Sequence, residues 1–265
     1  MNLLVLDIDD TILPRGETII HKPVIEAINS CLKNGDAICL ASGRPFPGIK
    51  QYLDAFSEGL KFAIVSNGAA LYTNNQKLIV EKYLHPRDVY YLYNKYKSTH
   101  TSIYAYDDDS GLIIFNEDKW TKLELKVNHF DKVYNFNEND YSQSAIKIYK
   151  VMIADEEKYS KNFSLTEEDK KRFSASRSTV NYYEVLTIDS GKLERIKDLI
   201  KYLKLNAKNV YTFGDNNNDL MMIKDYYGIA LGNALKECKD VAKFITLDVK
   251  DDGVAYAINK LILKK

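Results

Sequence analysis

Carboxylates are concentrated directly behind a short apolar run near the start of the chain. Residues 3–11 read Leu-Leu-Val-Leu-Asp-Ile-Asp-Asp-Thr, and a continuous apolar run of this kind is typical of a strand buried on both faces. Because side chains alternate along a strand, Asp7 and Asp9 are predicted to project to the same side. One carboxylate could attack phosphorus and the other transfer protons, with a divalent ion, Mg²⁺, binding both. The alternative is an Asx-turn or helix cap formed by Asp9 and Asp10.

A second predicted strand ends in groups that can bind an anion. Ser42 and Gly43 lie within Ala-Ser-Gly-Arg-Pro, and a helix is predicted to begin near Pro45. The Ser42 hydroxyl and the Gly43 backbone N–H could hold an anion at the N-terminus of that helix. The alternative is an ordinary helix start with Ser42 as its N-cap.

Later segments supply a lysine and two further carboxylates. Lys192 stands just inside an amphipathic helix and could balance carboxylates and a phosphate, although a solvated surface lysine is the alternative. Residues 212–219 read Thr-Phe-Gly-Asp-Asn-Asn-Asn-Asp. Asp215, at a strand end, could complete a metal site, and Asp219 could orient a ligand or Lys192. The alternative is an Asn-rich turn in which Asp219 is only an acidic helix start. Together, the four clusters predict a magnesium phosphate site.

Strand and helix patterns alternate at both ends of the chain, but not in its middle. This alternation predicts a parallel sheet covered by helices. The middle segment instead suggests antiparallel strands with helices, an α+β module inserted into an α/β core, with turn chemistry at 107–111. The predicted strands are 3–6, 37–41, 62–65, 102–106, 112–115, 146–153, 182–186, 210–213 and 228–231, and the predicted helices are 23–33, 45–56, 192–203, 219–225 and 254–263.

The composition argues against several classes of partner. Lysine plus arginine equals aspartate plus glutamate, at 37 each in 265 residues, so no polybasic field indicates nucleic acid or an anionic membrane. The three cysteines have no CxxC spacing, which predicts reduced thiols in a cytoplasmic protein. No apolar run approaches the roughly 20 residues of a membrane span, and no signal peptide is apparent. The oligomeric state is not readable from the sequence.

These motifs resemble the haloacid dehalogenase-like superfamily of aspartate-nucleophile phosphatases, and most of all its Cof-type branch. Residues 7–11 match its DxDxT box, Ser42 its second motif, Lys192 its third, and 214–219 its GDxxND motif. Residues 66–69, 232–234 and 252–254 also resemble recurring Cof-type segments. The chain departs from the branch at Asp10, where glycine is usual, and after Lys192, where a small residue is frequent.

The resemblance implies a Rossmann-like core, 1–83 and 187–265, with a mobile inserted cap, 84–186, that closes over substrate. It implies that Asp7 is the nucleophile and a metal ligand. Asp9 would be the general acid/base, with its backbone carbonyl also binding Mg²⁺. The implied phosphate-binding residues are Ser42, Gly43, Lys192 and Asn218, the further metal ligand is Asp215, and the supporting residues are Thr11, Arg44 and Asp219.

The function predicted is a Mg²⁺-dependent phosphatase that hydrolyses small phosphomonoesters, namely sugar phosphates, through an aspartyl-phosphate. A phosphosugar mutase or a sugar-conjugate phosphatase on the same core is the alternative enzyme. A non-catalytic phosphosugar sensor is the alternative of a different class, and the presence of both Asp7 and Asp9 argues against it. Candidate substrate contacts in the predicted cap, each with a packing role as its alternative, are Trp120, Arg177, Tyr182, Tyr183 and Glu184.

Overall fold

A computed structural model describes residues 1–107, 111–128, 130, 132–135, 146–160 and 163–264. The chain divides into two compact units, Met1–Val80 with Gly191–Lys265, and Glu81–Ser190. The predicted boundary at 186 falls inside a strand, Tyr182–Thr187. In the structure the second unit ends a few residues later, at Ser190. The role of the second unit as a cap stays a prediction.

The strands and helices follow one another along the chain in the order below. The strands are β1 (Leu3–Leu6), β2 (Ala37–Ala41), β3 (Lys61–Val65), β4 (Ala70–Thr73), β5 (Leu78–Glu81), β6 (Ser102–Asp107), β7 (Gly111–Ile114), β8 (Lys132–Asn135), β9 (Ile148–Ala154), β10 (Phe173–Thr179), β11 (Tyr182–Thr187), β12 (Val210–Gly214), β13 (Tyr227–Ala230) and β14 (Phe244–Ile245). The helices are α1 (Lys22–Lys33), α2 (Phe46–Asp54), α3 (Pro86–Tyr96), α4 (Lys119–Val127), α5 (Glu157–Ser160), α6 (Lys192–Leu203), α7 (Leu220–Asp225), α8 (Lys236–Val241) and α9 (Gly253–Ala257), with a π-helical turn at Ile258–Leu263.

The first unit is built on a sheet of order β14-β13-β12-β1-β2-β3-β4-β5. The strands from β14 to β3 run parallel, and β4 returns antiparallel to β3. Every residue of β1 is buried, as expected for a strand covered by helices on both faces. The predicted α/β fold with a parallel-sheet core is therefore confirmed. The predictions did not include β4, β5, α8 or β14, which are all short.

The order of the strands creates a crevice beside β1. From β1 the chain proceeds to β2 and β3 on one side, and it later returns to β12, β13 and β14 on the other. An open parallel sheet binds its ligands outside the carboxyl ends of the strands at such a switch point. Asp7 directly follows β1 and Asp215 directly follows β12, so both residues lie at this point.

The second unit is a sheet of order β10-β11-β9-β6-β7-β8, in which only the β7–β8 pairing is parallel among the described residues. Residues 108–110 of the predicted turn between β6 and β7 lie outside the described residues. One face carries a buried polar network, in which Tyr104 donates to Glu124 at 2.9 Å and Tyr106 donates to the same carboxylate. Lys150 and Glu184 form a buried ion pair at 3.0 Å nearby on this sheet.

Among the residues described, no helix combines the length and the apolar character that crossing a bilayer requires.

Candidate active site

Three buried carboxylates meet at the switch point. Asp7, Asp215 and Asp219 each offer an oxygen within 4.8 Å of the others. The Asp7 backbone N–H donates to Phe213 O at 3.1 Å, so the β1–β12 pairing continues by one residue and holds Asp7 against the end of β12. Thr11 donates from its hydroxyl to Asp215 at 3.0 Å. The structure thus brings together the predicted motifs at 7–11 and 214–219.

Burial and the neighbouring charges raise the pKa values of Asp7 and Asp215. Burial raises the pKa of Asp7 well above its usual value, the carboxylates of Asp219 and Asp215 add to the rise, and Lys192 opposes it. Burial, followed by the charge of Asp219, raises the pKa of Asp215 to about 7, against the opposing hydrogen bond from Thr11. The site therefore holds more negative charge than its own groups neutralise.

Lys192 is buried inside this cluster, so the surface-lysine alternative is wrong. Its Nζ donates to Asp7 at 2.5 Å and to Asp219 at 2.7 Å, and the residue is 2% exposed. Burial by itself would lower the pKa of Lys192, but the two carboxylates raise it above its usual value. The ammonium accordingly stays charged between Asp7 and Asp219.

Asp219 uses both of its oxygens inside the protein. One accepts from Lys192, and the other accepts from the backbone N–H groups of Asp215 and Asn216, each at 3.2 Å. Gly214 allows this approach, because a Cβ there would lie 2.5 Å from the Cβ of Asp219. Asp219 stands at the start of α7, but its side chain orients Lys192 and the loop after β12, so it is more than an acidic helix start.

The cluster fits a divalent cation in charge and in donor type. Three carboxylates face one ammonium, which leaves a formal excess of two negative charges. Within the described part of the chain, one oxygen of Asp7 and one of Asp215 remain outside the hydrogen bonds of this network. Carboxylate oxygens are the donors that Mg²⁺ prefers, so these two residues are the candidate ligands.

Asp9 does not join the buried cluster. Strand β1 ends at Leu6, so the alternation that predicted joint projection with Asp7 does not extend to Asp9. Its carboxylate is 56% exposed and is held by Arg44, which donates through Nη2 at 2.5 Å and through Nε at 3.0 Å. Asp10 is in the left-handed region of a local turn and accepts from the Arg15 backbone N–H at 3.0 Å, a bond to the fifth residue along that is neither an Asx-turn nor a helix cap.

Predicted phosphate-binding residues from two loops contact Asn67, to which the sequence analysis assigned no role. Asn218 donates from its amide to Asn67 Oδ1 at 3.1 Å, and Asn67 donates its backbone N–H to Ser42 O at 2.9 Å. Ser42 follows β2 directly, and α2 has Pro45 at its N-cap, so the alternative of Ser42 as N-cap is wrong. The available signal for Asn67 was its place two residues after a third strand, within an Asn-Gly pair.

The candidate substrate contacts of the second unit have partners within that unit. Trp120 packs edge-on against Tyr182 with ring centroids 5.3 Å apart, and Arg177 donates to the Tyr183 hydroxyl at 2.6 Å. Glu184 is buried in its pair with a lysine. These contacts support the packing alternative, and a role in substrate binding stays a prediction.

Known proteins resemble the chain along its whole length. A family model described as haloacid dehalogenase-like hydrolase matches residues 4–258. "Putative phosphatase YxeH" of Bacillus subtilis is 30% identical over 275 residues, covering 99% of both chains. The 5-amino-6-(5-phospho-D-ribitylamino)uracil phosphatase YcsE of the same organism is 24% identical over 269 residues, covering 99% of this chain and 96% of its own. The crystal structure of a haloacid dehalogenase-like hydrolase from Bacteroides thetaiotaomicron superimposes with a TM-score of 0.82 at 26% identity, covering 98% and 99% of the two chains.

Proposed function

The chain belongs to the haloacid dehalogenase-like hydrolase family and is a phosphatase of that family, and we propose that it hydrolyses small phosphomonoesters with Mg²⁺ as its cofactor. The resemblance stated from the motifs is thereby confirmed at the level of the family. One observation carries the proposal: Asp7 is buried against Lys192 within a carboxylate cluster that retains two excess negative charges.

Asp7 is the proposed nucleophile. Lys192 contacts the Asp7 carboxylate and keeps an ammonium charge beside it, which favours the ionised form that attacks phosphorus. An oxygen–phosphorus bond then forms to Asp7 while the bond from phosphorus to the leaving oxygen breaks. For this step Asp9 must carry a proton and release one of its contacts with Arg44; it then gives that proton to the leaving oxygen, as a general acid.

The second half of the proposed reaction regenerates the enzyme. Asp9, now a carboxylate, takes a proton from a water molecule as the water oxygen attacks the phosphorus of the aspartyl-phosphate. The bond between phosphorus and Asp7 breaks, and inorganic phosphate leaves. Both aspartates end in their starting states, so the cycle needs no further reactant.

Mg²⁺ would be held by carboxylate oxygens of Asp7 and Asp215, and the backbone carbonyl of Asp9 stays a predicted third ligand. When bound, the ion would supply positive charge against the phosphoryl oxygens. Asp219 is proposed to support the site and not to bind the ion, because its two oxygens already accept hydrogen bonds from Lys192 and from backbone N–H groups.

The remaining phosphoryl contacts are proposed for Ser42, Gly43, Asn218 and Lys192. The support is that Ser42 and Gly43 follow β2 and Asn218 follows β12, while Lys192 begins α6 and reaches Asp7, so backbone N–H groups and an ammonium can face an anion. Thr11 and Arg44 are proposed to support the site through their bonds to Asp215 and Asp9.

Sugar phosphates are the proposed substrate class. The support is the relative YcsE, whose named substrate carries a phosphate on a ribityl chain, a polyhydroxylated group like that of a sugar. A cytoplasmic location is proposed with it, since all three cysteines are buried thiols outside any disulfide.

The proposal is tested by a phosphatase screen with Mg²⁺ over sugar phosphates, nucleotides, pyridoxal phosphate and p-nitrophenyl phosphate. Asp7→Asn should abolish release of phosphate, whereas Asp10→Asn, a neighbouring carboxylate outside the cluster, should retain it. Borohydride reduction of a quenched reaction should convert residue 7 to homoserine, as read by mass spectrometry. Undiminished turnover by Asp7→Asn would rule out Asp7 as the nucleophile, and a shifted regioisomer without free phosphate would indicate a mutase.

A further inference from the structure

Three consecutive residues behind β3 have left-handed backbone conformations. Their φ angles are 48° at Ser66, 55° at Asn67 and 99° at Gly68. Residues with a Cβ adopt this region at a conformational cost, which surrounding contacts must offset, and such conformations concentrate at functional sites. The contacts of this turn are therefore informative about its role.

Asn67 touches the predicted phosphate-binding residues of two other loops. It is 4% exposed, and its Oδ1 accepts from the Asn218 amide at 3.1 Å. Its backbone N–H donates to Ser42 O at 2.9 Å. A Cβ added to Gly43 would lie 3.1 Å from Asn67 Nδ2, so the amide packs directly on the Gly43 backbone. One side chain thus joins the loop after β2 to the loop after β12.

Gly68 fixes the position of the same turn against the start of α6. A Cβ on Gly68 would lie 2.1 Å from the carbonyl carbon of Gly191, which is an overlap that only glycine avoids. Gly191 is the N-cap residue that precedes Lys192. The turn at 66–68 is consequently in contact with the loops that carry all four predicted phosphate-binding residues.

We propose that Asn67 is a positioning residue for the phosphoryl group, acting by holding the Asn218 amide and the Gly43 backbone in one fixed arrangement. The proposal rests on the proposed phosphatase function. With Oδ1 of Asn67 accepting from Asn218, the orientation of the Asn218 amide is set by the turn and not by its own Asn-rich loop. The hydrogen-bond donors would then already be in place when phosphate binds, so binding would cost less conformational entropy.

The first variant is Asn67→Gly, which removes the amide but keeps a residue that adopts the left-handed conformation freely. We expect the inhibition constant of inorganic phosphate and the KM for p-nitrophenyl phosphate to rise about tenfold, the size of effect associated with losing a hydrogen bond in a charged site. Gln76→Gly is the matched control, because Gln76 is also left-handed, at φ 57°, but lies in the turn between β4 and β5. It should leave both constants unchanged.

The second variant is Asn67→Asp, which keeps the size of the side chain and an oxygen that accepts from Asn218. This variant keeps the acceptor for Asn218 and adds one negative charge beside the predicted phosphate-binding residues. We expect a larger rise in the phosphate inhibition constant than for Asn67→Gly, because a carboxylate placed behind the donors repels the anion. The thermal midpoints of both variants are measured in parallel to separate binding from unfolding.

A double-mutant cycle supplies the decisive measurement. Asn218→Ala, Asn67→Gly and their combination are compared for phosphate binding by calorimetry in the presence of Mg²⁺. We expect the combined loss to be clearly smaller than the product of the two single losses, since both changes break one contact. Wild-type phosphate affinity in both Asn67 variants, or fully multiplicative losses, would overturn the positioning role. A wild-type protein that binds phosphate but hydrolyses no ester would instead contradict the proposed function.

Discussion

Arg44 holds both carboxylate oxygens of Asp9, through Nη2 at 2.5 Å and Nε at 3.0 Å. The guanidinium also stands 5.5 Å from the centre of the Tyr52 ring and donates to its hydroxyl at 3.3 Å. Asp9, the proposed proton donor, is therefore fixed in one orientation although its side chain is more than half exposed. The residue that fixes it comes from the loop after the neighbouring strand β2.

Replacing Arg44 by lysine should slow the chemical step more than it weakens binding. A lysine cannot reproduce the planar, two-pronged contact, so Asp9 would lose its fixed orientation. We expect kcat to fall about tenfold and KM to change less than about threefold, as expected for a misoriented proton donor. Arg15→Lys is the control, because Arg15 is 81% exposed and pairs with Asp10. An unchanged kcat in Arg44→Lys would show that the clamp has no catalytic role.

Replacing Asp10 by glycine should leave turnover within about twofold of wild type, since glycine adopts the same left-handed conformation without strain. The φ angle of Asp10 is 59°, which explains why glycine is usual at this position in the Cof-type branch. Its carboxylate lies 2.9 Å from the Arg15 guanidinium and accepts from the Arg15 backbone N–H at 3.0 Å, and neither contact belongs to the carboxylate cluster. Asp10→Val is the contrasting variant, because a β-branched residue resists this conformation and should lower the thermal midpoint. Collapse of kcat in Asp10→Gly would show that the carboxylate takes part in the reaction.

Replacing Lys192 by methionine should destabilise the metal-free protein by about 3–5 kcal/mol, as measured by urea unfolding at pH 8 with a chelator present. The change leaves the buried carboxylates of Asp7 and Asp219 without their ammonium partner. Lys197→Met is the control on the same helix: Lys197 is half exposed and pairs with Glu194, so we expect a loss below about 1 kcal/mol. Equal losses in the two variants would contradict the buried charge balance.

The stability gained from Mg²⁺ should increase with pH. Asp215 has a pKa of about 7 in the metal-free fold, against an ordinary value of 3.8. Between these two pKa values Asp215 is protonated in the folded state and ionised in the unfolded state. The contribution of Asp215 to the free energy of unfolding therefore falls as the pH rises through this range. Mg²⁺ competes with that proton, and the rise in thermal midpoint on adding Mg²⁺ should therefore be larger at pH 8 than at pH 5.5.

The control for this pH dependence is His21→Gln. The hydrogen bonds that protonated His21 donates to Asp252 and Glu17 raise the pKa of His21, so its contribution to stability is present below pH 6.5 and is lost as pH rises above it. The Mg²⁺ series is therefore measured in the His21→Gln background as well. Asp215→Asn should remove most of the Mg²⁺ effect at both pH values, and an undiminished effect would place the cation elsewhere.

Local sequence patterns were sufficient to predict the central strands of the first sheet and that carboxylates and a Ser-Gly pair follow them. An apolar run such as 3–6 is buried whatever its neighbours are, and its length and flanking residues already specify a strand. Strands β1 and β2 accordingly have the predicted bounds, and the α/β fold and the family resemblance are confirmed. The roles of the individual site residues stay predictions.

The pairings inside the site were not predictable from local patterns. Lys192 contacts a residue 185 positions away, and Arg44 contacts one 35 positions away. These contacts exist because β12 inserts beside β1 and β2 flanks its other side, an order that no local periodicity encodes. From the sequence alone, Lys192 could equally be a solvated surface residue. Because it is buried, it is the counter-ion of two carboxylates. The same strand order gave Asn67 its contacts, because three loops meet only where three strands end together.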